Sequence, residues 1–205
     1  MAKEQNEIFL LRVATELCRP LECSLDERQR IEKNWAFYED AGKLHAIYGL
    51  APVRTLVAEE WNEDAGFVRL RTATTAATLD PRLAELTIGT PARAHGRDLV
   101  LLAHQKVRLR KMRGYVGHPV RLVRDGDSFR AEMTPLTLIH SFWGLLGPRI
   151  RLNPHLLFCT YFSGLDLDGD RVRLGYGIND NTLGFAELEF SELWPSAPIT
   201  GTAAK

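Results

Sequence analysis

Strand-like runs that double back around tight turns recur along this chain, and nothing of helical length separates them. "NWAFYE" and "LHAIYGL" flank the turn "DAGK" (40–43), and "ARAHGRDLVLLAHQKVRL" reverses at His95-Gly96-Arg97. "HPVRLVRDGDSFRAEM" does so at Asp125-Gly126-Asp127, and "LLFCTYFSGLDLDGDRVRLGYGI" at Asp168-Gly169-Asp170. Gly, Asn and Asp enter the left-handed backbone region that a two-residue hairpin turn needs. Repeated hairpins with no strand–helix–strand alternation predict an all-β protein. The turn centres near 41, 96, 126 and 169 are unevenly spaced, so the repeat is degenerate. A four-stranded propeller blade takes roughly 40–45 residues, so the chain has room for three or four such units. A β-sandwich of similar strand count fits the same pattern.

Other segments fill in around these hairpins. "EIFLLRV" (7–13) reads as a strand, "LDERQRIEKN" (25–34) as a charged connector, and "RTLVAEE" as a further strand. "GFVRLRTA" (66–73) alternates cleanly, as a half-buried strand should. "TTAATLDPRLAEL" (74–86) reads as a loop, because its Thr residues suit neither a helix interior nor a helix face. "TPLTLIHSFWGLLGPRIRLNP" (134–154) is apolar and irregular, a loop that covers something. The chain is expected to form one domain over 1–195 with a disordered tail at 196–205, "PSAPITGTAAK" being its composition signal.

Charge excludes several partners. The 26 basic residues balance 26 acidic ones, so no net field favours nucleic acid or an anionic membrane. The basic run "KVRLRKMR" (106–113) alternates Val107 and Leu109 with charge, which predicts a solvated strand face. Cys18, Cys23 and Cys159 lack metal-ligand spacing and predict neither a disulfide scaffold nor a metal site; a reducing cytoplasm follows. The N-terminal apolar run is short and interrupted by Arg12, which predicts no secretory signal, and no stretch approaches the ~18 apolar residues of a membrane span.

Three segments, in order, resemble the five-bladed β-propeller glycosidases, in particular their mannoside-phosphorylase-like branch within the arabinanase-like superfamily. "IEKNWAFYEDAGKLHAIYGLAPVRTL" (31–56) is similar to a Glu-Lys-Asn-Trp entry followed by a hairpin. "IGTPARAHGRDLVLLAHQ" (88–105) is similar to a Gly-Gly-Thr-Pro entry, with Ile88 in place of the first Gly, and a strand ending in His. "FCTYFSGLDLDGDRVRLGYGINDNTLGFAEL" (158–188) is similar to a Ser-Gly strand, an Asp-Gly turn and a strand ending Tyr-Gly-x-x-Asp. The resemblance covers roughly 7–193 and implies antiparallel four-stranded blades. Because the match begins part-way through the pattern, it implies an incomplete propeller lacking the first blade or blades. Such a propeller leaves an edge open, so a homo-oligomer or a missing N-terminal propeller segment is expected to cover it.

Glycoside cleavage needs a carboxylic acid for the leaving oxygen and a carboxylate, or phosphate, on the opposite face of the sugar. A propeller brings inner-strand ends from distant parts of the sequence to one centre. The resemblance therefore implies Glu32 and Asp180 as catalytic carboxylates, with a sugar or oligosaccharide as ligand. The substrate contacts it implies are Lys33, Asn34, Trp35, Tyr48, Thr90, His104, Tyr176 and Asn179. Phosphate is the one co-substrate implied, and no other cofactor. Each residue has a plainer reading. Glu32 and Lys33 would end a solvated connector, Trp35 would pack in the core, and His104 would be a buried histidine of a strand. "NDNT" (179–182) would be an ordinary hairpin turn. A non-catalytic carbohydrate-binding or structural fragment is the alternative function.

Overall fold

The computed structural model describes residues 9–13, 18–26, 34–141 and 156–195. These residues form an all-β, propeller-like structure, in which three antiparallel meanders stack side by side. The first consists of β3 (Ala36–Asp40), β4 (Lys43–Leu50), β5 (Val53–Asn62) and β6 (Phe67–Ala76), paired in chain order. Its first turn puts Ala41 at φ 49° and Gly42 at φ 73°, the doubly left-handed backbone that matches strand twist. Beside β6 runs β2 (Cys18–Ser24), parallel over Glu22–Ser24, with β1 (Phe9–Val13) antiparallel on its far side. Pro20 hides β2 from a sequence reading. It lies opposite Leu11 in the β1 pairing, ahead of the β6 ladder, where its missing N–H breaks nothing.

In the second meander two short strands, β7 (Leu86–Ile88) and β8 (Arg93–His95), lie along β9 (Asp98–Leu109). β10 (Met112–Asp125) and β11 (Ser128–Met133) complete it. The third comprises β12 (Leu156–Asp168), β13 (Arg171–Ile178) and β14 (Thr182–Glu189), closed by the one-turn helix α1 (Phe190–Leu193). Three residues of β10, Arg113–Tyr115, pair in parallel with β12 and join the second and third meanders into one curled sheet. Inner strands pack on inner strands, β4 on β7 and β8 on β12, while the outer strand β11 packs on β5 and β6.

All four hairpin turns expected near 41, 96, 126 and 169 are present, with Gly42, Gly96, Gly126 and Gly169 at positive φ. Two segments differ from the sequence reading. "KVRLRKMR" is not one strand face: β9 ends at Leu109, Arg110 turns at φ 54°, and β10 starts at Met112. Residues 74–86 are not a loop throughout. β6 continues to Ala76, where β-branched Thr is at home, and the Thr74 and Thr55 hydroxyls bond across the strands at 2.7 Å. A 3-10 turn, Pro81–Glu85, follows, with the Asp80 carboxylate accepting from the Arg82 N–H. Of the irregular stretch 134–154, the described part bridges to β10 through Gly117 and Leu138; the rest, like the tail 196–205, lies outside the described residues. Among the described residues no helix is long and apolar enough to cross a membrane.

The core is organised by β9. Alternation sends Leu99, Leu101 and Ala103 towards the first meander, against Ala36, Tyr38, Ile47, Leu50 and Val53. Val100 and Leu102 point the other way, against Phe162, Leu165, Val172, Leu174, Phe190 and Leu193 of the third. Asp98 anchors the start of the strand. Its buried carboxylate accepts from the Arg121 guanidinium at 2.6 Å and from the Arg124 N–H at 3.0 Å. Burial alone would raise its pKa; the Arg124 N–H and the Arg121 side chain outweigh that and hold it below the usual carboxylate value. Arg124 also reaches Asp40 in the first meander at 2.7 Å.

This arrangement predicts that Leu101→Ala and Leu102→Ala each lose about 2–5 kcal/mol of stability, one from each side of the second meander. Urea unfolding of both variants checks it. A near-neutral result for either would mean that its side of β9 is not packed as described.

Candidate functional site

The three meanders meet at Asn34. This residue precedes β3 with its backbone at φ 58°, a left-handed conformation that Asn tolerates better than most side chains. Its amide nitrogen donates to the Ile88 carbonyl at the entry of the second meander, 3.0 Å away. The same nitrogen donates to the Tyr161 hydroxyl on β12, at 2.6 Å. One half-buried amide therefore ties together segments 54 and 127 residues apart in the chain.

Aromatic rings surround this junction. The Tyr161 ring lies over His104 with centroids 3.9 Å apart, and Tyr115 of β10 meets Tyr161 edge-on at 6.2 Å. Burial raises the Tyr161 pKa, the Asn34 hydrogen bond pulls it down, and the neighbouring Tyr115 and Cys159 raise it further. The phenol is protonated at neutral pH and able to donate. His104 follows Leu102 on the inward-alternating face of β9 and is 1% exposed. Among the described residues neither of its ring nitrogens has a partner in good hydrogen-bond geometry, though the Phe162 backbone lies close enough to act on it. Burial drives its pKa down to about 4, the Phe162 backbone pulling weakly the other way, so the ring is neutral at pH 7. Gly89 makes room for it: a Cβ there would stand 2.7 Å from the His104 ring and 2.8 Å from the Leu102 carbonyl.

The other residues singled out from the sequence fall in different surroundings. Thr90 is buried beside Gly89, its hydroxyl accepting from the Leu102 N–H and donating to the Pro91 carbonyl, both at 3.0 Å. It fastens the entry of the second meander onto β9. Trp35 is buried in a separate apolar cluster with Leu21, Cys23, Leu56 and Leu70, and Tyr48 packs on it at 5.6 Å with Arg54 over its own ring. Tyr176 lies against Phe162 at 5.2 Å, with His140 Nδ1 3.4 Å from its hydroxyl. Glu32 and Lys33 lie outside the described residues.

Asn179 and Asp180 form the turn after β13, both left-handed at φ 53° and 56°. The turn also does a second job. The Asn179 side chain accepts from the Cys159 N–H at 2.8 Å, and its own N–H donates to the Cys159 carbonyl at 3.0 Å, extending the β12 pairing past the strand end. Asp180 is exposed and close enough to Cys159 for its charge to matter. Burial, and then the Asp180 carboxylate, push the Cys159 thiol up to about 12 against the opposing pull of Arg113, so at neutral pH it is a protonated thiol and not a nucleophile.

The structure thus brings Asn34, Thr90 and His104 to one neighbourhood and puts Asn179 two residues along β12 from Tyr161. Trp35 and Tyr48 belong to another cluster. Tyr161, Tyr115 and Arg113 escaped the sequence reading because they sit inside strands that read as ordinary apolar or basic alternation. Only the pairing of β10 with β12 brings them together.

No family model and no curated protein matches this chain. Three chains of solved structures do. One is a glycosyl hydrolase from Bacteroides ovatus, 14% identical with a TM-score of 0.47. The match covers 81% of this chain and 49% of that one, so the chain spans about half that structure's length.

His104 carries a pH signature with a definite sign. A histidine whose folded pKa is depressed from 6.5 to about 4 leaves stability intact above 6.5 and removes it as pH falls towards 4. The loss amounts to about 3 kcal/mol at most, since each pKa unit is worth about 1.4 kcal/mol. Denaturant unfolding between pH 7.5 and 4 is expected to show this decline, and His104→Phe to flatten it. An equally steep decline in His104→Phe would assign the effect to other groups.

Proposed function

We propose that this is a carbohydrate-active protein that holds a sugar where Asn34, Tyr161 and the entry of the second meander converge. The observation that carries the reading is the Asn34 amide bridging the Ile88 carbonyl and the Tyr161 hydroxyl. It creates a half-buried rim of amide, phenol and aromatic faces drawn from three separate segments. Such groups suit a neutral polyol: hydroxyl and amide groups exchange hydrogen bonds with sugar hydroxyls, and aromatic faces cover the apolar side of a pyranose. Glycoside cleavage is the catalytic form of this reading, by hydrolysis or by phosphorolysis with phosphate as co-substrate. Glu32 and Asp180 would then be the acting carboxylates and Lys33 a phosphate or substrate contact.

A second reading, a non-catalytic carbohydrate-binding domain, is favoured by the turn at 179–180. There the Asn179 side chain is committed to the Cys159 N–H, and Asp180 is exposed rather than enclosed in a pocket.

Glycan-array binding, together with aryl-glycoside turnover with and without phosphate, tests both readings. Asn34→Ala and Tyr161→Phe are expected to weaken sugar binding about tenfold each, the equivalent of one lost hydrogen bond. In the catalytic form, Asp180→Asn and Glu32→Gln keep binding while turnover falls 10²–10⁴-fold, roughly the contribution of a general acid or base. Binding without turnover supports the second reading. A folded protein that binds no glycan ends both.

A further inference from the structure

The outward face of the third meander has no cover among the described residues. On β14, Leu183 is 76% exposed and Phe185 is 82% exposed, two residues apart on one face. Their cross-strand partners on β13 are Gly177 and Gly175, and Gly175 pairs in turn with Gly164 on β12, so the sheet beneath them carries almost no side chain. The corresponding flank of the first meander is treated differently: there Leu21, Cys23 and Leu25 cover Leu56, Val68 and Leu70. Among the described residues β14 is also the last strand of its sheet, and "TLGFAELE" holds none of the usual edge protections of Pro, Lys or a bulge.

We propose that β14 is a homodimer edge, pairing antiparallel with β14 of a second copy about a twofold axis at Gly184. An antiparallel partner keeps faces in register only when residues of like parity oppose each other. Centring the axis on Gly184 then sets Leu183 of each copy opposite Phe185 of the other, twice by symmetry. Both exposed apolar side chains gain an apolar cross-strand neighbour by the same operation, as an isologous contact requires. Thr182 comes to face Ala186 and Asn181 to face Glu187, so no like charges meet across the seam. Glu187 is already engaged with Arg171 at 3.7 Å and with Arg173 at 3.4 Å, which leaves no uncompensated carboxylate at the junction. Gly184 itself is constrained on the inner side, since a Cβ there would stand 2.4 Å from the Tyr176 ring. The chain has no net charge, so two copies approach without long-range repulsion.

Analytical ultracentrifugation over a concentration series tests the association. The expected result is a monomer–dimer equilibrium that Leu183→Lys and Phe185→Lys each weaken at least tenfold, with circular dichroism unchanged. Register is tested by mixing two single variants, Leu183→Cys and Phe185→Cys, under oxidising conditions. Disulfide-linked heterodimer is expected from the mixture and not from either variant alone. A wild-type protein that stays monomeric throughout overturns the proposal. So does a dimer that survives both lysine variants, or crosslinking of Leu183→Cys with itself.

Discussion

Strand β9 is buried on both faces, and the rest of the molecule is arranged to satisfy it. A strand in a sheet with one solvated face alternates apolar with polar residues, whereas "LVLLA" (99–103) is continuously apolar, as a strand packed on both sides must be. Its odd and even residues enter different cores, so a neighbouring sheet is required on each side. The first and third meanders are those neighbours. The stacking of three meanders is therefore a consequence of five consecutive apolar residues in the middle one. The polar ends of β9 fix its position: Asp98 is held by Arg121 and the Arg124 backbone at one end, and Arg124 reaches on to Asp40.

Much of this was legible in the sequence. The hairpins at 41, 96, 126 and 169 are determined locally, because a glycine at positive φ between two apolar runs leaves the chain little else to do. What could not be read is what depends on partners remote in the chain. β2 was hidden by Pro20 because whether a proline damages a strand depends on which neighbour needs its N–H. The basic run at 106–113 alternates the same way in one strand as in two strand ends joined at Arg110. The extension of β6 through Thr74 depends on Thr55 across the pair.

The candidate site divides along the same line. Asn34 and Thr90 were recognisable as inner-strand ends and His104 as the end of a following strand, although β9 runs on past it to Leu109. Tyr161, which meets Asn34 and His104, was not, since "FCTYFSG" reads as apolar strand. Asn34 acquires meaning from a contact 127 residues away, which no local pattern encodes. Trp35, adjacent in sequence, goes to a separate apolar cluster with Leu21, Leu56 and Leu70. Ala36, next again, joins the core shared with β9. The short run from Asn34 to Ala36 thus serves the junction and two separate cores at once.

The turn at Asn179-Asp180 is the hairpin that "NDNT" predicted, and it is fastened to a second strand as well. Asn179 shows how. Its left-handed backbone makes the turn, and its side chain and N–H continue the β12 pairing, so the turn is held rigidly against the strand that carries Tyr161. Asp180, next in line, is placed by that rigid neighbour beside Cys159, while Asn34 approaches Tyr161 from the first meander. The pairing of β12 is thus carried one residue beyond Ile178 by the side chain and the backbone N–H of a single turn residue.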